Sequence, residues 1–141
     1  RMGDPECQAI LPRLKTDLVK IIKNSLANKL NKTKIEWQKD KSMTIVLCSK
    51  GYPGNYKMNK NIKNINKLKL SKSDFIYHAG TKYKNGKLLS NGGRVLNITS
   101  TGNSFFKIRN KIIKIIKKLN WKDGFYRKDI GWKAINKYAN N

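Results

Sequence analysis

Acidic side chains are scarce: the 141-residue chain holds 8 Asp and Glu against 32 Lys and Arg, for a formal charge of +24. Histidine is rarer still, with His78 alone, and the 2 cysteines, Cys7 and Cys48, lie far apart with no CxxC spacing. That excludes the usual zinc ligand sets, and two isolated thiols fit a reduced, cytoplasmic compartment better than a disulfide framework. No stretch approaches the roughly 18 consecutive apolar residues of a membrane-spanning helix, and the start is not a signal peptide, so no membrane partner is expected. Catalytic triads and Walker loops are also missing. What is present is 38% hydrophobic residues and a mean hydropathy of −0.67, the balance of one soluble domain with a fragment of another. A chain of this size buries roughly two thirds of its unfolded surface, enough for a core without staples. The opening at Arg1, inside a motif, is expected to mark a piece of something longer.

The positive charge invites a nucleic-acid reading, but its make-up argues otherwise. Of the basic residues 27 are lysine, and the 5 arginines are Arg1, Arg13, Arg94, Arg109 and Arg127. Lysine, asparagine and isoleucine are over-used together, as in NKNIKNINKLKL from Asn59 to Leu70. These are residues of A/T-rich codons, so genome composition accounts for them. The lysines are scattered along the chain and do not gather with interleaved aromatics as a stacking groove requires. Nonspecific binding at low salt follows in any case. A stand-alone basic module gripping nucleic-acid phosphates is the alternative reading; a specific nucleic-acid partner is not expected.

Asp4-Pro5-Glu6 reads as a helix start, with a capping Asp, a proline at the first helical position and an acid favoured by the helix dipole. Pro12 breaks that helix. From Arg13 the spacing of Leu14, Leu18, Ile21, Ile22 and Leu26 predicts one amphipathic helix, ended by the polar run Asn28 to Lys34. Short strands follow at Met43 to Cys48, Phe75 to His78 and Arg94 to Thr99. Between them lie the Gly51-Tyr52-Pro53-Gly54 turn, an Asn85-Gly86 type I′ hairpin signal and the Asn91-Gly92-Gly93 corner. Strands at such spacing suggest a small sandwich or barrel. One long helix, capped by Asn103 or Ser104, carries the stripe Phe105, Ile108, Ile112, Ile115, Ile116 and Leu119. The tail from Trp121 to Trp132 is aromatic and ends at a glycine turn. The fold class is α+β.

Five ordered stretches go further: RMGDPECQAILPRLKTDL from Arg1, GYPGNY from Gly51, FIYHAGT from Phe75, NGGRVLNIT from Asn91 and FYRKDIGWKA from Phe125. In that order they resemble the C-terminal part of the phosphoribosylamine-glycine ligases, or glycinamide ribonucleotide synthetases, of the ATP-grasp superfamily. The resemblance implies a division into residues 1–33, the helical end of an ATP-grasp domain, and 34–141, the family's small C-terminal β domain with its helix. Cut from its parent sheet, the first helix should then show an apolar face at Leu14, Leu18 and Leu26 with too few partners. It also implies ATP-driven joining of glycine to 5-phosphoribosylamine in purine biosynthesis, through a glycyl phosphate. Magnesium or manganese would bridge the phosphates, held by a Glu and an Asn just upstream of the arginine matching Arg1. This chain would thus hold no metal ligand, would be inactive alone, and would partner the remaining domains of a monomeric enzyme.

On that resemblance Arg1 suits the carboxylate of glycine and Asp4 its ammonium group; the equal alternative for Asp4 is to cap the helix. Gly92, Gly93 and Arg94 suit the phosphate of phosphoribosylamine, because an arginine beside backbone N–H groups recognises a dianion; Gly80 and Thr81 fit the same need less specifically. The alternative is that the glycines merely turn the chain and Arg94 pairs with an acid. His78 is a general base or a structural residue beside its strand. Glu6 suits the helix dipole, Met2 stands for the family's usual Phe, Arg127-Lys128-Asp129 reads as an internal ion-pair turn, and Tyr52 and Tyr56 as packing.

Overall fold

The computed structural model describes residues 2–137. It is a mixed α/β structure with antiparallel sheets. The elements, in order, are α1 (Glu6–Ile10), α2 (Leu18–Leu26), β1 (Lys41–Ser49), β2 (Asp74–His78), β3 (Thr81–Lys84), β4 (Lys87–Ser90), β5 (Arg94–Gly102), α3 (Phe105–Leu119), β6 (Gly124–Phe125) and α4 (Trp132–Lys137). Four strands form one sheet in the order β2-β5-β1-β6, and β3-β4 is a separate hairpin. The turn of that hairpin holds Asn85 at φ 50° and Gly86 at φ 70°, the two positive values a type I′ turn needs.

Alternation along the strands sorts the sheet into two faces. Met43, Ile45 and Leu47 of β1 lie beside Ser100, Ile98 and Leu96 of β5. The apolar residues among these, with Ile62, Val95 and Trp121, make one core with Ile108, Ile112, Ile115, Ile116 and Leu119 of α3. The long helix therefore supplies the second layer, where a sandwich would need another sheet, and the four-stranded sheet stays open at β2 and β6. Ser104 caps α3, its hydroxyl accepting from Lys107 N–H at 3.5 Å, and Asn120 closes it in a left-handed conformation. Lys111 ties α3 to the sheet edge: its ammonium lies 2.8 Å from the buried Asp74 carboxylate and donates to Ser71 and Ser73.

The N-terminal segment departs from the continuous helix expected over Arg13 to Leu26. Leu11–Arg13 is a short 3-10 turn, and Leu14 makes a β-bridge with Trp37. Only Leu18–Leu26 is α-helical, started by Asp17, whose side chain accepts from Lys20 N–H at 3.0 Å. The extended pairing of Leu14 with Trp37 and the Asp17 cap outweigh the apolar spacing. Backbone bonds from Lys15 to Glu36 (2.9 Å) and from Gln38 to Arg13 (2.6 Å) close the base of this arm. On α2, Leu18 is half-buried while Val19, Ile22 and Leu26 are exposed, Leu26 to 82%. Pro5 is also displaced from its expected place: it is the N-cap of α1, with Glu6 the first helical residue.

Candidate functional site

Those residues singled out for ligand contact that are described converge at one end of the sheet, where β2 leaves, β5 begins and the start of α1 crosses. Arg94 is the first residue of β5 and pairs with Cys48 of β1 just past a register shift. Its base is pinned: the Arg94 carbonyl accepts from Gly80 N–H at 2.8 Å, and Gly80 in turn accepts from Asn91 N–H at 2.7 Å. Gly80 and Gly92 approach so closely that a Cβ on Gly80 would lie 2.8 Å from Gly92 Cα and 2.7 Å from the Arg94 carbonyl. Gly93 lies beneath the Tyr52 ring, whose Cδ2 a Cβ there would meet at 2.0 Å. Ser49 completes the corner, its N–H donating to Gly93 and its hydroxyl to Gly92, both at 2.8 Å. Close approach therefore requires glycine here, of backbone at Gly80 and Gly92 and of the Tyr52 ring at Gly93, and both carbonyls of the Gly92-Gly93 pair are occupied.

From this base the Arg94 side chain reaches Asp4. Nε lies 3.3 Å from Asp4 Oδ2, and Nη1 donates to the Asp4 backbone carbonyl at 3.0 Å. Gln8, one helical turn further along, donates from Nε2 to Asp4 Oδ1 at 3.2 Å. The expected helix cap is not formed, since no side chain caps α1; the carboxylate serves Arg94 and Gln8 instead. The alternative in which Arg94 pairs with an acid is realised, and the acid is the other predicted site residue. His78 and Thr81 stand at the same end, with His78 Nδ1 3.0 Å from the Thr81 hydroxyl in an exposed pair. Arg1 lies outside the described residues. Burial pushes the Cys48 thiol above its ordinary value; Arg94 opposes that shift and Asp4 adds to it.

Beside the ion pair lies a cavity of about 430 Å³, lined among others by Pro5, Cys48, Tyr52, Pro53, Tyr126 and Ile130. Three motifs distant in sequence, DPE, GYPG and FYRKDI, meet there. Arg127 and Asp129 form the expected ion-pair turn, bidentate at 3.2 and 2.7 Å. Arg109 of α3 holds that turn through the carbonyls of Lys128 and Ile130. Sequence reasoning passed over Gln8, Ser49 and Cys48; only Gln8 carried a local signal, its spacing of four from Asp4. Among the described residues no three His, Cys, Asp or Glu side chains gather as a metal site, and Asp4 already faces a cation.

Residues 42–133 match the family model described as phosphoribosylglycinamide synthetase, C domain. The chain is 44% identical over 135 residues to phosphoribosylamine-glycine ligase of Agrobacterium fabrum, spanning 96% of this chain and 31% of that protein. It is 36% identical over 137 residues to the chloroplastic ligase of the same name from Arabidopsis thaliana, spanning 96% of this chain and 26% of the relative. Among solved structures it is similar to phosphoribosylamine-glycine ligase of Thermotoga maritima, with a TM-score of 0.68 and 29% identity over 92% of this chain and 31% of that one. The chain spans less than a third of the length of these relatives.

Proposed function

The chain belongs to the phosphoribosylglycinamide synthetase family, matched through its C domain, and from that membership we propose that it serves as the C-terminal part of a phosphoribosylamine-glycine ligase. The reaction joins glycine to 5-phosphoribosylamine in purine biosynthesis, with ATP becoming ADP and phosphate. Glycine carboxylate takes the γ-phosphoryl group; the amine of phosphoribosylamine then attacks the acyl carbon and phosphate leaves. Residues 1–33 belong to the ATP-grasp domain in this reading and 34–141 to the C domain. ATP and its magnesium or manganese are held by the rest of the enzyme, a monomer in the cytoplasm. No helix of the described residues is long and apolar enough to cross a membrane.

Within this chain the work is substrate recognition. Asp4 accepts the ammonium of glycine, with Arg1 toward its carboxylate. The Gly92-Gly93-Arg94 corner, with Gly80, Thr81 and His78 around it, takes the phosphate of phosphoribosylamine. Arg94 can serve there while bound to Asp4, because a guanidinium has five N–H donors and the Asp4 contacts engage Nε and Nη1 only. The observation that carries the reading is the family match over residues 42–133; that Asp4 of RMGDPE and Arg94 of NGGRVL meet at one place is consistent with a shared site. The nucleic-acid alternative is not favoured by the family membership.

The test is ADP release by a full-length ligase carrying this segment. It is expected to require both glycine and phosphoribosylamine, while residues 1–141 alone release none. ADP release indifferent to either substrate would overturn the assignment.

A further inference from the structure

Arg94 touches Asp4 at two chemically distinct places, the carboxylate and the backbone carbonyl. A surface ion pair formed by chance geometry needs only the first. Engaging the carbonyl as well fixes the guanidinium relative to the main chain of the Asp4-Pro5 turn, so the carboxylate is held in direction as well as neutralised. The other carboxylate oxygen is held by Gln8, and a carboxylate has about four acceptor positions. Positions therefore remain for a ligand ammonium once both oxygens are oriented.

The support beneath Arg94 is what makes this more than a flexible contact. The Gly80-to-Arg94 bond, the close Gly80-Gly92 approach and the Tyr52 ring on Gly93 give its backbone one geometry, and the next six residues of β5 are buried. Asp4, by contrast, stands on a turn before a five-residue helix with no buried residue. The sheet is the rigid partner and the motif turn the guided one. Chemistry that needs a reacting group placed within a fraction of an ångström draws its directing groups from such rigid elements.

We infer that Arg94 is a positioning residue that aims the Asp4 carboxylate at the ammonium of glycine, in addition to its place in the phosphate corner. The inference rests on the reading of Asp4 given above. Lysine could not replace it, because a single ammonium is a point charge without the planar fork needed to reach carbonyl and carboxylate together.

The experiment uses the full-length ligase carrying this segment, with variants R94K, D4N and R94K/D4N, and varies glycine and phosphoribosylamine separately. In R94K the KM for glycine, read at saturating phosphoribosylamine, is expected to rise about tenfold, as befits loss of one charge-assisted contact, and any loss in the phosphate corner is read separately in the KM for phosphoribosylamine. In the D4N background the same change should raise it less than about twofold, because the residue it positions is already altered. A purely structural or phosphate role predicts otherwise: glycine KM unchanged in R94K, or raised by the same factor with and without D4N. Either result overturns the inference. Thermal melting of R94K, expected to match the wild type because the pair is exposed, guards against a folding defect, and calorimetric glycine binding by R94K supplies the same comparison without turnover. A wild-type enzyme indifferent to glycine would instead overturn the reading of the reaction, and the inference with it.

Discussion

Asp4 and Arg94, 90 positions apart, are joined by an ion pair of 3.3 Å and a hydrogen bond of 3.0 Å. The contact links the segment before the family-matched residues to the first residue of a central strand. Both side chains are about two fifths exposed, so it contributes little to global stability, about 0–1 kcal/mol. Its effect is local. Arg94→Ala should leave the urea midpoint nearly unchanged while speeding hydrogen exchange at the Cys7 amide, which bonds to Gly3 at 3.0 Å at the start of α1. Unaltered Cys7 exchange would mean that α1 is held by its packing alone.

The glycine corner makes a sharper stability prediction. Alanine at Gly93 would collide with a side chain, Tyr52, whereas alanine at Gly80 would collide with backbone at Arg94 and Gly92. Both substitutions should cost about 1–3 kcal/mol by overpacking. The Gly93 cost should shrink in a Tyr52→Ala background, and the Gly80 cost should not. Urea melts of the five variants, Tyr52→Ala alone included, check this; equal relief at both positions would contradict the backbone approach of Gly80 to Gly92.

How far the sequence foretold all this depends on the range of each contact. The β3-β4 hairpin was legible because Asn85-Gly86 carries its own conformational requirement. The α3 stripe was legible because a helix writes its buried face at a fixed period, and Ile108, Ile112, Ile115, Ile116 and Leu119 are buried. Leu14 misled because its spacing to Leu18 is helical, while its partner Trp37 lies across a return that periodicity does not encode. The site shows the same split. Residue chemistry picked out Asp4 and Arg94 separately; that they bind each other is set by how α1 crosses the sheet. A sheet covered by a helix stands where a small sandwich or barrel was expected, because strand spacing does not say which element covers the second face.

Acid stability should depend on Asp74. Burial works to raise its pKa, but Lys111, with hydrogen bonds from Ser100 and Ser71, outweighs that and holds it below the ordinary carboxylate value. A group lowered on folding stabilises the native state above its unfolded pKa, about 3.9, and loses that contribution as pH falls through the lower folded value. Asp74→Asn should therefore cost about 2–3 kcal/mol at neutral pH, in the range for a hydrogen-bonded charge. The gap from wild type should stay level down to about pH 5 and close below about pH 4. Urea denaturation from pH 7 to 2.5 measures it; a gap that widened on acidification would reverse the assigned sign.

The apolar face of α2 tests the proposed division at residues 33 and 34. Val19 is 59% exposed, Ile22 50% and Leu26 82%, so within this chain they have little to lose. Leu26→Asp should change the stability of residues 1–141 by no more than about 0.5 kcal/mol, against about 2–5 kcal/mol for Ile112→Ala in the core. A longer ligase whose ATP-grasp domain covers that face should respond differently, because each aliphatic side chain buried there contributes about 1.5–3 kcal/mol. Leu26→Asp should then lower its melting temperature clearly while leaving the short chain alone. Equal insensitivity of both proteins would show that α2 stays bare in the whole enzyme, and the assignment of residues 1–33 to the preceding domain would fall.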